Sequence, residues 1–111
     1  MSDLPLIDTA ILDDMIEAIG IDALRPVVEL FLGEAQRLSA VIAADDREAA
    51  RRAAHSLKSS AGQLGAAALS EAAAAVERAA EAGAPFAHDA ATVSRLAEAS
   101  TWALKERMKG D

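Results

Sequence analysis

The sequence predicts an all-α fold, an antiparallel four-helix bundle with an additional short N-terminal lid helix. Three observations carry this. Apolar residues recur at helical spacing in five successive segments, the pattern of helices with one buried face. The segments are separated by short breaks holding Gly20, Asp45 with Asp46, Gly65, and Gly83 with Pro85, so each long helix turns back beside the one before it. No stretch alternates apolar and polar residues as a half-buried strand does. A chain of 111 residues is one domain, 1–111, with a single core and no room for a second catalytic module.

The elements follow in order. Met1 to Ile7 reads as a short, loose lead-in, with Pro5 discouraging helix before it. Asp8 or Thr9 caps a first helix running to about Ile19, with Ile11, Leu12, Met15, Ile16 and Ile19 on one side and Gly20 at its stop. Asp22 caps the second helix, with Pro26 in or close to its first turn, and the helix reaches about Ala43 or Ala44. Its stripe of Leu24, Val27, Val28, Phe31, Ala35, Leu38 and Ile42, flanked by Leu30, Val41 and Leu32, is wider than one neighbour needs; core is the first reading for each residue.

Asp45 and Asp46 place acidic caps before a third helix, about 47 to 64. Gly65 breaks the chain, and a fourth helix from about Ala67 to Ala82 buries Leu69, Ala72, Ala73, Val76 and Ala80. A last helix begins near Asp89 as its cap and runs to about Met108, with Ala90, Val93, Leu96, Ala97, Ala99 or Ser100, Ala103 and Leu104 inward. His88 falls in the loop after Pro85 and reads as inert; Trp102 reads as a core or rim residue.

The third helix carries the chemistry. Ala50, Ala53, Ala54, Leu57, Ala61 and Leu64 make its buried face, and His55 points the other way, with Arg51 one turn before it, Lys58 and Ser59 one turn after, and Gly62 a turn beyond. Gly62 gives up about 1 kcal/mol of helix propensity relative to Ala, which is understandable where room is needed beside an exposed ring. An imidazole with the ordinary pKa of about 6.5 is largely neutral at pH 7 and therefore nucleophilic. Cleared space and the Lys58 and Arg51 charges suit a large, anionic electrophile, and phosphoryl fits best.

At these residues a resemblance becomes specific. The run HSLKSSAGQLGAAAL, residues 55–69, resembles the signature of histidine-containing phosphotransfer (HPt) domains, approximately H-x-L-K-(G)-S-(S/A)-x-x-(hydrophobic)-G-A-x-x-L. His55, Leu57, Lys58, Ser60, Ala61, Leu64, Gly65, Ala66 and Leu69 match in register. Ser59 departs, standing where most members carry Gly. The resemblance implies that His55 is the phosphoacceptor and that Lys58 stabilises the phosphoryl group. It implies that Arg51, Ser59 and Gly62 give a partner clearance and docking, and that Gly65 is structural. It also implies a polar residue on the fourth helix that bonds the inactive ring nitrogen of the histidine, and counting along the motif puts Glu77 there. Ser60 leans inward and is assigned to a backbone carbonyl.

The partners implied are the receiver domain of a hybrid histidine kinase and the receiver domain of a response regulator, the receiver bringing Mg²⁺, so that no cofactor or metal is needed here. A cytoplasmic monomer is implied, acting as a covalent carrier and not as an enzyme. Composition agrees with that class. Net charge is -7, which opposes general binding to nucleic acid or an anionic membrane. No run of eighteen apolar residues and no secretory leader is visible. The chain has no cysteine, which removes thiolate metal sites and thiol chemistry, and its two histidines are far apart, which argues against a metal bundle. No Gly-rich nucleotide loop is present. Ser56 and Ser60 stand where a kinase's own phosphoacceptor helix carries an acidic residue and a proline. Two other readings stay open: a receiver-binding adaptor that carries no phosphate, and a detached phosphoacceptor domain like that of a chemotaxis kinase.

Overall fold

A computed structural model describes residues 4–110, so positions 1–3 of the lead-in, and 1–3 and 111 of the expected domain, lie outside the described residues. The described residues form five α-helices and no strand: α1 (Thr9–Ile19), α2 (Ile21–Ala43), α3 (Arg47–Gln63), α4 (Ala67–Glu81) and α5 (Ala87–Met108). α2 packs on α3 and α5, and α4 packs on the same two, so the four long helices close a ring of contacts; α1 packs on α2. Named contacts orient the neighbours. Arg47 at the start of α3 donates to the Ala84 carbonyl just past the end of α4, at 2.8 Å. Arg25 near the start of α2 donates to the Met108 carbonyl at the end of α5, at 2.9 Å.

The core within this ring is aliphatic and alanine-rich. Leu24, Val28, Ile42, Leu57, Leu69, Val76, Val93 and Leu104 are fully buried, and so are Ala50, Ala54, Ala61, Ala66 and Ala73 on α3, α4 and the turn between them. Alanines at a helix–helix contact let the axes approach closely, and that approach later lets two ordinary side chains span α3 and α4.

The α3–α4 turn follows from one glycine. Leu64 ends α3 and Gly65 takes φ +81°; the Ala66 N–H donates to Ala61 O (2.8 Å) and the Gly65 N–H to Gly62 O (3.3 Å). This is the paired bonding of a Schellman stop. The N-terminal segment lies across the turn: Asp8 N–H donates to Gly65 O at 2.6 Å, and Ala68 N–H to Pro5 O at 3.1 Å. The lead-in is therefore tied down from Pro5 onward, contrary to a loose lead-in, because it supplies partners to backbone groups at the turn and start of α4.

Several helix ends and faces differ from expectation. Gly20, not Asp22, stands at the start of α2, and Asp22 sits in the first turn paired with Arg25. Gly20 serves as the stop of α1 and the cap of α2 at once, its φ of +84° making the corner between them, and Pro26 consequently falls in the second turn. α5 starts at Ala87, with Asp89 in its first turn and His88 on the helix instead of in a loop. Val27 and Leu30 on α2 are exposed, Leu30 to 76%, because the ring of neighbours covers only part of the wide apolar stripe, and Ile19 at the end of α1 is exposed too. Trp102 is 68% exposed and belongs to the rim.

Candidate functional site

The site begins at the cap of α3. Asp46, in extended backbone, accepts from the Ala49 N–H at 3.1 Å, and Glu48 adds a negative charge in the first turn. Arg47 then reaches across to the carbonyls of Ala79, Ala80 and Ala84 and lies 5.4 Å above the centre of the Phe86 ring. A cation at a helix C-terminus is favourable, so Arg47, although exposed, clasps the start of α3 to the end of α4. It sets the register of α3 against α4, and farther along both helices His55 comes level with Glu77.

The His55 ring is 62% exposed, and its Nδ1 lies 2.7 Å from Glu77 Oε2. The second carboxylate oxygen of Glu77 accepts from Lys58 Nζ at 2.6 Å. Glu77 itself is 9% exposed, set on α4 beside the fully buried Ala73 and Val76. The Lys58 hydrogen bond holds the Glu77 carboxyl below its ordinary range; burial pushes the other way, and the His55 bond adds to the lowering. Glu77 is thus ionised at neutral pH and can only accept. The Nδ1 of His55 must then carry the proton that bonds it, which leaves the lone pair on Nε2, an atom with no hydrogen bond among the described residues.

The remaining residues divide. Ser59 lies exposed one turn from His55. Arg51 is not brought to the ring: its guanidinium bonds both oxygens of Glu48, at 3.1 and 2.7 Å. Gly62 is at the surface, and a Cβ there would stand in ordinary van der Waals contact with Ser70 Oγ at 3.4 Å, so the approach of α4 does not require a glycine. Ser60 does not bond a backbone carbonyl; its hydroxyl donates to Glu34 Oε1 on α2 at 2.9 Å, because α2 offers a carboxylate at that level. Sequence reasoning passed over Glu34, and also Ser70, whose hydroxyl donates to the Lys58 carbonyl at 2.8 Å. Neither had a local signal, since each partner lies on another helix. Among the described residues no cluster of three or more His, Asp or Glu side chains suits a metal ion, and no helix is long and apolar enough to cross a membrane.

An all-helical module that holds an ionised glutamate behind an exposed imidazole, with a lysine on the same carboxylate, belongs to the class that presents an oriented histidine ring at its surface. The family model described as "Hpt domain" matches residues 26–108, more than half of the chain. The chain belongs to the Hpt domain family, the phosphotransfer modules of phosphorelay signalling, which carry phosphoryl groups without a kinase or ATPase unit. Comparison with curated proteins and with solved structures found no match.

Proposed function

We propose that this chain is a phosphorelay intermediate that accepts a phosphoryl group on His55 Nε2 from the receiver aspartate of a hybrid histidine kinase. It passes that group, reversibly, to the receiver domain of a response regulator. The observation that carries this reading is the 2.7 Å contact between His55 Nδ1 and Glu77, which leaves the exposed nitrogen as the nucleophile. As the Nε2 lone pair forms the N–P bond, the P–O bond to the receiver's aspartate breaks and its carboxylate leaves with the bonding pair. The proton stays on Nδ1, and the ring becomes cationic facing the Glu77 carboxylate. In the second transfer the next receiver's aspartate attacks phosphorus and the N–P pair returns to the ring.

Phosphoryl transfer asks for in-line approach and charge neutralisation more than for acid–base groups. Lys58 spends one of three N–H donors on Glu77, and the others are assigned to phosphoryl oxygens. Mg²⁺ is assigned to the receiver. Ser59 and Gly62 keep the approach clear, and Arg51 is a docking residue at the edge of that approach. For the architecture, α2 to α5 are read as an antiparallel four-helix bundle with α1 as its lid, supported by the clasps of Arg47 and Arg25 and by the Asp8–Gly65 bond. The cytoplasm is the compartment assigned.

The test is transfer of labelled phosphate from phosphorylated receiver domains to the wild-type chain and to His55→Gln. Label on wild type alone, lost in acid and kept in base, is the expected result. Cognate receivers that bind both proteins and label neither would overturn the relay and leave a docking module.

A further inference from the structure

A groove lies between α2 and α5, on the side of the helix ring opposite the α3–α4 edge that carries His55. It measures about 660 Å³ and is lined, among others, by Gly33 on α2 and by Glu98, Thr101, Trp102 and Lys105 on α5. Three features there are unmatched within one copy. Trp102 is 68% exposed. Glu98 and Lys105, two turns apart on one face of α5, make no ion pair or side-chain hydrogen bond among the described residues. Gly33 sits inside the 23-residue α2 at a cost of about 1 kcal/mol against Ala, yet no atom lies within 4 Å of where its Cβ would stand.

We infer that this face joins two copies of the chain about a twofold axis. An antiparallel crossing of α5 on α5 with the axis between Thr101 and Trp102 sets Trp102 of each copy against Thr101 of the other. The same axis sets Glu98 of each copy against the second copy's Lys105, so every one of these charges is paired, in two ion pairs. A twofold interface needs this self-complementarity. The start of α2 is held to the end of α5 by Arg25 and Met108, so counting inward along both helices brings Gly33 level with Thr101. The second copy's indole therefore descends over Gly33, and the open space above that glycine is its seat. Tryptophan in such a pocket is the commonest kind of interface anchor. The α3–α4 edge stays uncovered, so each dimer presents two His55 rings on opposite sides. The dimer departs from the monomer that family resemblance implies and does not depend on the phosphorelay reading.

Sedimentation equilibrium of the full chain from about 1 to about 500 μM, a range suited to an interface of modest size, tests this. The expected result is a reversible monomer–dimer equilibrium for wild type. Trp102→Ala should raise the dissociation constant by roughly 100-fold, and Glu98→Lys by about 10-fold through like charges opposed twice. The double variant Glu98→Lys with Lys105→Glu should return to within about threefold of wild type, because the swap restores both pairs. Circular dichroism melts confirm that each variant is folded. A wild type that stays monomeric throughout, whatever else the groove binds, overturns the proposal; so does a folded double variant that associates no better than Glu98→Lys.

Discussion

The proton on the His55 ring is placed by a residue that is itself almost wholly buried. Glu77 is nearly buried, ionised and bonded on both oxygens, so it fixes the tautomer and, in the proposed relay, would face the cationic ring formed on transfer. Glu77→Ala removes a hydrogen bond to a charged group, worth about 1.5–3 kcal/mol, and should slow transfer by about 10–100-fold in quenched-flow measurements. Glu77→Gln keeps an acceptor for Nδ1 and should stay within about tenfold of wild type. Equal losses in both variants would show that the negative charge, and not the tautomer, is what matters. Lys58→Ala takes away the largest influence lowering the Glu77 pKa, so the Glu77 carboxyl should titrate at higher pH in that variant, followed by carbon-13 NMR. An unmoved titration would sink the assignment of that influence to Lys58. At this scale the sequence was legible where a motif or a count along it applied: His55, Lys58 and Glu77 could be named together from one chain. Contacts that depend on how another helix is rotated, Ser60 with Glu34 and Ser70 with the Lys58 carbonyl, left no mark in local spacing. Arg51 looked available to an anion on the helical wheel, but Glu48 at i−3 takes its guanidinium.

Helices α3 and α4 act as one element because the turn between them leaves no slack. Gly65 has φ +81°, and a Cβ on it would stand 2.9 Å from the Asp8 carbonyl oxygen and 3.3 Å from Ile11 Cβ. Gly83 after α4 has a similar φ of +71° with open space around it. The pair separates backbone strain from steric contact. Gly83→Ala carries only the left-handed cost of about 1 kcal/mol and should lower Tm by roughly 5 °C. Gly65→Ala adds overpacking against α1, for about 2–4 kcal/mol in all and roughly 10–20 °C. Thermal melts of both variants check this, and equal shifts would mean that α1 yields freely. Helix existence and inner faces were readable from periodicity, above all for α4, where each expected inward residue is buried. Caps were less readable, because Asp22 and Asp89 are as suitable by type as Asp8 and Asp46, yet lie one or two residues inside helices begun by Gly20 and Phe86. The wide stripe of α2 was legible as a surplus, but which residues it would leave exposed depended on where α1, α3 and α5 cover it.

Across the whole molecule, an acidic chain of net charge -7 gathers Arg47, Arg51, Arg52 and Lys58 on α3, and the carboxylates paired with two of them tie stability to pH. Glu77 has a carboxyl pKa lowered in the folded protein, chiefly by Lys58, and an ordinary one, about 4.3, in the unfolded chain. Between the two values the unfolded state binds the proton and the folded state does not, so folding is disfavoured progressively as pH falls through that window. The stabilisation is complete above the unfolded value and is lost below the folded one. Glu48, lowered by Arg51 at the exposed start of α3, acts in the same direction, weakened by solvent. Urea unfolding of wild type and Glu77→Gln at steps from about pH 7 to about pH 3, a span that includes the ordinary carboxylate range, should show wild type losing stability more steeply. The variant lacks the titrating group but keeps its size, so the gap between the two curves should be constant above the carboxylate range and should shift steadily toward the variant's favour through it. Parallel curves over the whole span would mean that Glu77 is no more acidic in the folded protein than in the unfolded chain, and would remove its share of the pH dependence.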